Sequence, residues 1–229
     1  MWGQHEISWP VVAVTGLAFE ARIAGSAAVI ECGSRNSAPL RAIVARGCRG
    51  IISFGVAGGL APGLPPGQWI VASGIVSNDE YHAVDRLWSE CLLKVLPRAT
   101  HATIAGVDAT VNDPNAKRAL YARTHALGVD MESHLAARVA HDHGLPFAAC
   151  RVILDPAHRT LPPAARVSLR AQAVPDPRAV LRSVTAEPSQ LPGLIRLALD
   201  ASIAKMALRR GRALLGPSFA FPDFYQSKR

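Results

Sequence analysis

The chain has 229 residues, 49% of them hydrophobic and 18% charged, with a formal net charge of +8. That composition can fill a buried core and excludes a disordered polyelectrolyte, and no stretch approaches the ~20 apolar residues that span a bilayer. The four cysteines, Cys32, Cys48, Cys91 and Cys150, have neither zinc-site spacing nor the density of a disulfide scaffold. The first residues lack a signal peptide's basic start and apolar run, so a cytoplasmic protein with reduced thiols is expected.

The first element is a short β-branched strand at residues 10–15, ending at Gly16. Helices are expected at residues 20–28, where Gly25 is a weak point, and at residues 38–46, running into Gly47. Residues 50–54 read as a buried strand and residues 55–59 as a small-residue loop. The turn cluster at residues 62–67 feeds a strand at 68–73. A strand at 103–111 and a helix at 115–125 follow. Met131, Leu135 and Val139, at i, i+4 and i+8, predict a helix over 131–143 that stops at Gly144. Residues 147–154 form the last strong strand, and helices near 177–185 and 192–215 complete the chain. Strands alternating with helices predict the α/β class: a mostly parallel sheet between two helical layers, a three-layer αβα sandwich. The length suits one domain over residues 1–229.

Three segments carry the chemistry: residues 53–60 (SFGVAGGL), 128–133 (GVDMES) and 150–155 (CRVILD). Each lies at a strand end or helix start, and ligands of α/β sheets bind just beyond the carboxyl ends of strands. A glycine-rich segment there leaves backbone N–H groups for an anion or polar ligand, although a tight turn would use the same residues. Asp130 and Glu132 at a helix start also suit the helix dipole, and Asp155 beside Pro156 could cap a turn.

In this order the segments resemble the nucleoside phosphorylase and nucleosidase superfamily, which includes purine nucleoside phosphorylases and methylthioadenosine/S-adenosylhomocysteine nucleosidase. The resemblance covers residues 11–165. It rests on Gly16, residues 55–60 with 66–71 behind them, Tyr81, His82, Asp85, Met131, Glu132 and Asp155. Residues 15–22 (TGLAFEAR) and 154–163 (LDPAHRTLPP) look most like the hopanoid-associated phosphorylases, which are linked to removal of adenine from adenosylhopane.

The resemblance implies a phosphorylase/hydrolase-like fold and cleavage of a purine N-ribosidic bond. Asp155 would be the acid that protonates the departing purine at N7, and it must be uncharged at neutral pH to do so, which burial favours. Glu132 would accept hydrogen bonds from the ribose hydroxyls while Met131 packs on the sugar. Gly16, Val56, Ala57 and Gly58 would shape the nucleophile side, and Thr110 and Val111 the base side. Glu20 would activate the nucleophile, but its offset from Gly16 differs by one residue from the nucleosidase pattern, and a solvated helix carboxylate is the alternative.

Other places depart from the pattern. Ser53 and Val56 stand where the phosphorylases hold phosphate, Thr110 replaces a base-stacking aromatic, and Leu154 replaces a serine. Arg22 or Arg151 could take up the phosphate role, so phosphorolysis and hydrolysis both stay open, with inorganic phosphate as co-substrate in the first case. Neither a metal nor a cofactor is implied; His141 and His143 point to different helix faces.

Residues 190–229 are apolar with basic punctuation. They read either as a core-packing helix or as a basic amphipathic segment seeking an anionic membrane, with exposed aromatics at residues 219–225. The expected partners are a small or lipid-linked nucleoside, a second copy of the chain in a homo-oligomer, and peripherally the inner membrane face. A general methylthioadenosine or adenosylhomocysteine nucleosidase is the first rival. A non-catalytic nucleoside- or nucleic-acid-binding module is the second, disfavoured because the charge alone speaks for it.

Overall fold

The computed structural model describes residues 11–26, 28–30, 37–160 and 191–222. Its elements are β1 (Val12–Thr15), α1 (Ala18–Ala24), β2 (Ala28–Ile30), α2 (Ala38–Val44), β3 (Ile51–Gly59), β4 (Trp69–Ser77) and β5 (Glu80–Ala83), then α3 (Arg86–Val95), β6 (Thr100–Gly106), α4 (Pro114–Thr124), β7 (Gly128–Asp130), α5 (Ser133–Asp142), β8 (Phe147–Asp155) and α6 (Leu191–Leu215). The expected helix at 177–185 lies outside the described residues.

The central strands are apolar on both faces, and alternate side chains therefore feed two cores. Ala13, Ile52, Phe54, Val71 and Cys150 face α3 and α6, where Trp88, Leu92, Ala204 and Leu208 meet them. Val12, Val14, Ile51, Ile70 and Ala149 face the other way, onto Leu40 and Val44 of α2 and Ala136 and Val139 of α5. A smaller cluster joins Leu120 of α4 to Leu60, Ala105 and Val129. Two helical layers thus enclose a mixed, mostly parallel sheet.

That sheet is more curled than an open sandwich requires. β2, β1, β3 and β8 run parallel, as do β4, β6 and β7, and antiparallel pairings of β3 with β7 and β4 with β8 join the two sets. The joins close β3, β8, β4, β6 and β7 into a ring, with β2 and β5 outermost. Register shifts at Ala57/Gly58 and Ala72/Ile75 mark where strands bend to allow it.

Several expected boundaries move. Residues 55–59 are the second half of β3 rather than a loop, paired with β8 and β7. Their glycines serve close approach of neighbouring side chains, not a turn. The helix expected from Met131 begins at Ser133, because Asp130 accepts from the backbone N–H of Glu132 and Ser133 and holds residues 130–132 in a turn. α3 had no sequence signal strong enough to announce it, although Asp85 caps it by accepting from the Trp88 N–H at 2.8 Å.

At the C-terminus, the aromatics expected to be exposed are in part core. Phe219 and Phe221 are buried, Phe219 edge-on to Phe54 at 5.3 Å and Phe221 edge-on to Trp88 at 4.8 Å. Residues 223–225 lie outside the described set. No described helix is long and apolar enough to cross a membrane.

Candidate active site

The bend where β3 and β8 fall out of register sets the position of Asp155. Ala57 pairs with Ile153, but Gly58 pairs with Asp155, so Leu154 is the extra residue of a bulge and Asp155 is re-aimed. A Cβ on Gly58 would come 3.2 Å from Val129 Cγ1 and 3.4 Å from Asp155 Oδ1, so glycine leaves the Asp155 carboxyl room beside the strand.

Asp155 is 5% exposed. Its carboxyl receives a hydrogen bond from Lys117 of α4 at 2.5 Å, and the same ammonium also reaches the carbonyls of Asp155, Pro156 and Arg159 at 3.0–3.4 Å. Lys117 is itself fully buried, and four oxygens around one nitrogen call for an ammonium with three donors. Burial raises the Asp155 carboxyl above its ordinary range; the Lys117 charge and hydrogen bond pull it down without cancelling that rise.

Glu20 is no solvated helix carboxylate. It is 1% exposed, and its Oε2 accepts from the N–H groups of Gly16 and Leu17, both at 2.8 Å. Oε1 accepts from the Val56 N–H at 2.7 Å. The carboxylate thus sits where an anion bound by this backbone cradle would sit. Burial raises its pKa, against Arg151 and the three N–H groups.

Beneath the floor lies Arg151, fully buried, which was a candidate for phosphate and is instead committed to protein. Its Nε is 2.9 Å from Asp130 and its Nη2 3.3 Å from Glu132. Nη2 also donates to Ser53 Oγ at 2.5 Å, and Ser133 Oγ donates its one proton to Asp130 Oδ2 while accepting from Ser53 Oγ, 2.8 Å away. Gly55 is the close-approach point: a Cβ there would lie 2.5 Å from Glu20 Oε1 and 2.6 Å from Arg151 Nη1. Likewise a Cβ on Gly16 would lie 2.3 Å from Glu132 Oε1. Arg22, the other phosphate candidate, is exposed on α1 and lines a separate hollow with Lys205, Arg209 and Arg212.

Glu20, Asp130 and Glu132 therefore share one guanidinium, and three buried carboxylates against one cation hold a proton at neutral pH. Glu20 already accepts N–H bonds on both oxygens, so the proton goes to Glu132. Its carboxyl is pushed up to about 8 by burial, then by the neighbouring charges of Asp130 and Glu20, with Arg151 opposing.

One cleft collects these groups. Gly16, Glu20, Val56, Ala57 and Gly58 line it together with Met131, Glu132 and Asp155 and with Thr110 and Val111, and Val107, Val129 and Leu154 add apolar surface. Thr110 Oγ1 lies 3.6 Å from Met131 Sδ. Every residue expected at the site from the sequence thus borders the same space. Lys117 was missed: it stands on an otherwise ordinary polar helix, and only the tertiary contact with Asp155 sets it apart. Among the described residues, no group of three or more His, Cys, Asp or Glu side chains is placed to hold a metal.

Residues 9–186 match the family described as Phosphorylase superfamily. No curated protein matches the sequence. Among solved structures, a futalosine hydrolase mutant of Helicobacter pylori superposes with a TM-score of 0.61 at 14% identity, over 90% of this chain and 98% of that one. The S-adenosylhomocysteine nucleosidase of Streptococcus pyogenes, in complex with 5-methylthiotubericidin, gives 0.61 at 18% identity over 90% and 98%. The 5'-methylthioadenosine/S-adenosylhomocysteine nucleosidase of Helicobacter pylori, with butyl-thio-DADMe-Immucillin-A, gives 0.60 at 17% identity over 79% and 100%. Identities this low speak for a shared fold.

Proposed function

The chain belongs to the phosphorylase superfamily, and from that premise we propose that it hydrolyses the N-ribosidic bond of a purine nucleoside. The observation that carries this reading is the pairing, in one cleft, of a buried carboxyl with raised pKa at Asp155 and a buried carboxylate on a backbone N–H cradle at Glu20. Their anchor points on β3, Gly58 and Val56, are two residues apart, roughly 7 Å along the strand. A nucleoside laid between them would meet an acid at the base and a proton acceptor near the sugar.

The step balances as follows. Water oxygen bonds to the anomeric carbon as the carbon–nitrogen bond breaks, and the bonding pair leaves with the purine. Asp155 gives its proton to the purine, and Glu20 takes one from the water. Glu20 has the capacity: a carboxylate offers about four lone-pair sites, and N–H groups fill three. Glu132 accepts from the ribose hydroxyls and steadies the positive charge growing on the sugar. Lys117 holds the acid and the turn after it in place.

Hydrolysis is favoured over phosphorolysis because the N–H cradle is already filled by the Glu20 carboxylate and Arg151 is engaged below. Phosphate would enter a space lined by like charge. Base release should therefore run at the same rate with and without phosphate, giving a sugar with a free anomeric hydroxyl rather than its 1-phosphate by mass spectrometry. Strict dependence on phosphate would reject the reading.

The subgroup resemblance of residues 15–22 and 154–163 points further, to adenine leaving adenosylhopane. The apolar surface given by Val107, Val111 and Leu154 suits a substrate with a greasy appendage. Comparing adenosylhopane with methylthioadenosine and adenosylhomocysteine tests it: faster adenine release from either small nucleoside overturns the hopanoid assignment and leaves the bond type standing.

Glu132 adds a pH signature. In the empty cleft its carboxyl is protonated below about 8, whereas the ribose hydroxyls donate to the carboxylate, so binding expels the proton. Affinity for a non-cleavable nucleoside analogue should rise about tenfold from pH 6 to pH 7 and level off above pH 8. Calorimetry should show proton release, and Glu132→Gln should abolish both the slope and the release. Binding with no pH slope in the wild type would mean that Glu132 does not meet the ribose.

A further inference from the structure

The outer face of a helix packed on a protein core normally carries its charges. α6 does otherwise. Its buried stripe is Asp200, Ala204, Leu208, Gly211 and Leu215, closely fitted, with Gly211 against Trp69. The opposite face presents Leu191, Ile195, Leu199 and Met206, with Ile203 and Leu214 flanking; Ile195 and Leu199 are 57% and 60% exposed. A sequence reading of one apolar and one basic face is corrected accordingly: apolar residues occupy both sides.

The charge on this exposed surface has one sign. Arg196, Lys205, Arg209 and Arg210 are exposed, and Arg22 of α1 joins Lys205 and Arg209 around one hollow. Asp200, the single acidic residue of α6, is buried and paired with Arg159 at 3.2 Å. We propose that this face of α6 docks on a membrane leaflet containing anionic phospholipid. Apolar side chains beside cations, with no exposed carboxylate on α6, match the boundary between acyl chains and anionic headgroups. A two-fold pairing of two copies here would instead bring two faces of the same positive sign together.

The docked face adjoins the cleft's acid side. His158, Arg159 and Thr160, which follow Asp155, share a surface hollow with Ile195, Arg196 and Leu199. Docking does not depend on which bond the cleft breaks, so either claim can fail without the other.

Co-sedimentation of the full chain with phosphatidylcholine vesicles, with or without phosphatidylglycerol, tests the proposal. The protein should bind the anionic vesicles, at least about tenfold more weakly the neutral ones, and should be released by salt. Each cation near such a surface is worth about fivefold, so R196Q/R209Q/R210Q should bind about a hundredfold more weakly. I195Q/L199Q/M206Q should lose about tenfold or more. Because all six positions are exposed, both variants should keep the wild-type thermal midpoint and the wild-type rate on a soluble nucleoside. Absence of wild-type binding to anionic vesicles would overturn the proposal, as would unchanged binding by both variants. A glutamine variant that turns a dimer into a monomer while still sedimenting with vesicles would assign the face to a second copy instead.

Discussion

Asp155→Asn should lower kcat by about three orders of magnitude, the upper part of the 10²–10⁴ range typical of a lost general acid, while the protein stays folded. The reason lies in what the amide keeps and what it loses. Its carbonyl oxygen can still accept from Lys117, whose other contacts are to backbone carbonyls, so the turn after β8 retains its anchor. The amide cannot hand over a proton at neutral pH. The carboxyl has a proton to give in its neutral form, and burial favours that form by raising its pKa even against the neighbouring ammonium. Rates measured against pH sharpen the point: the wild type should lose activity as pH rises through the raised Asp155 pKa, and the variant's residual rate should lack that limb. Single-turnover adenine release by Asp155→Asn at the wild-type rate, in protein with native circular dichroism, would remove the acid from the mechanism.

How far the site could be read from the sequence depended on whether its logic was local. Glu132, Met131 and Asp155 were legible because each stands at the end of an apolar run, and their segments recur in a recognisable order. Glu20 was ambiguous. A carboxylate three residues into a helix is ordinarily exposed, and only the return of β3 beneath α1 buries it and brings Val56 N–H to it. The glycines of residues 55–59 looked like a loop, since glycine usually signals one. Their reason is the space that Glu20, Arg151 and Asp155 need beside a continuous strand. Lys117 and Arg151 gave no sign of their partners, because their contacts span 38–42 residues and up to 98 residues of chain respectively. The layers were legible from two-faced strands. The closing of the sheet was not, since the pairings of β3 with β7 and β4 with β8 depend on bulges that leave no local mark.

The buried network under the cleft leads to the largest effect on stability. Arg151→Met should destabilise the fold by about 3–5 kcal/mol at neutral pH, the usual result of removing one partner from a buried ion pair. The thermal midpoint should fall by about 10 °C for a chain of this size. Methionine fills much of the volume but leaves Asp130, Glu132 and Glu20 facing one another without a cation, and Ser53 without its donor. The pH dependence follows from the sign of the shifts. Burial already holds Glu132 near 8 and raises Glu20, and Arg151 is the main influence lowering both. Without it the folded state binds protons more tightly still, while the unfolded chain releases them near ordinary carboxyl values. Stability contributed by a carboxyl raised in this way is present at low pH and is lost as pH climbs from about 4.5 towards the folded value. The variant should thus approach wild-type stability near pH 5 and fall furthest behind near pH 8. Denaturant unfolding at the two pH values measures this directly. A penalty that is equal at both, or absent, would mean that Arg151 packs beneath the cleft without setting the charge of the carboxylates above it.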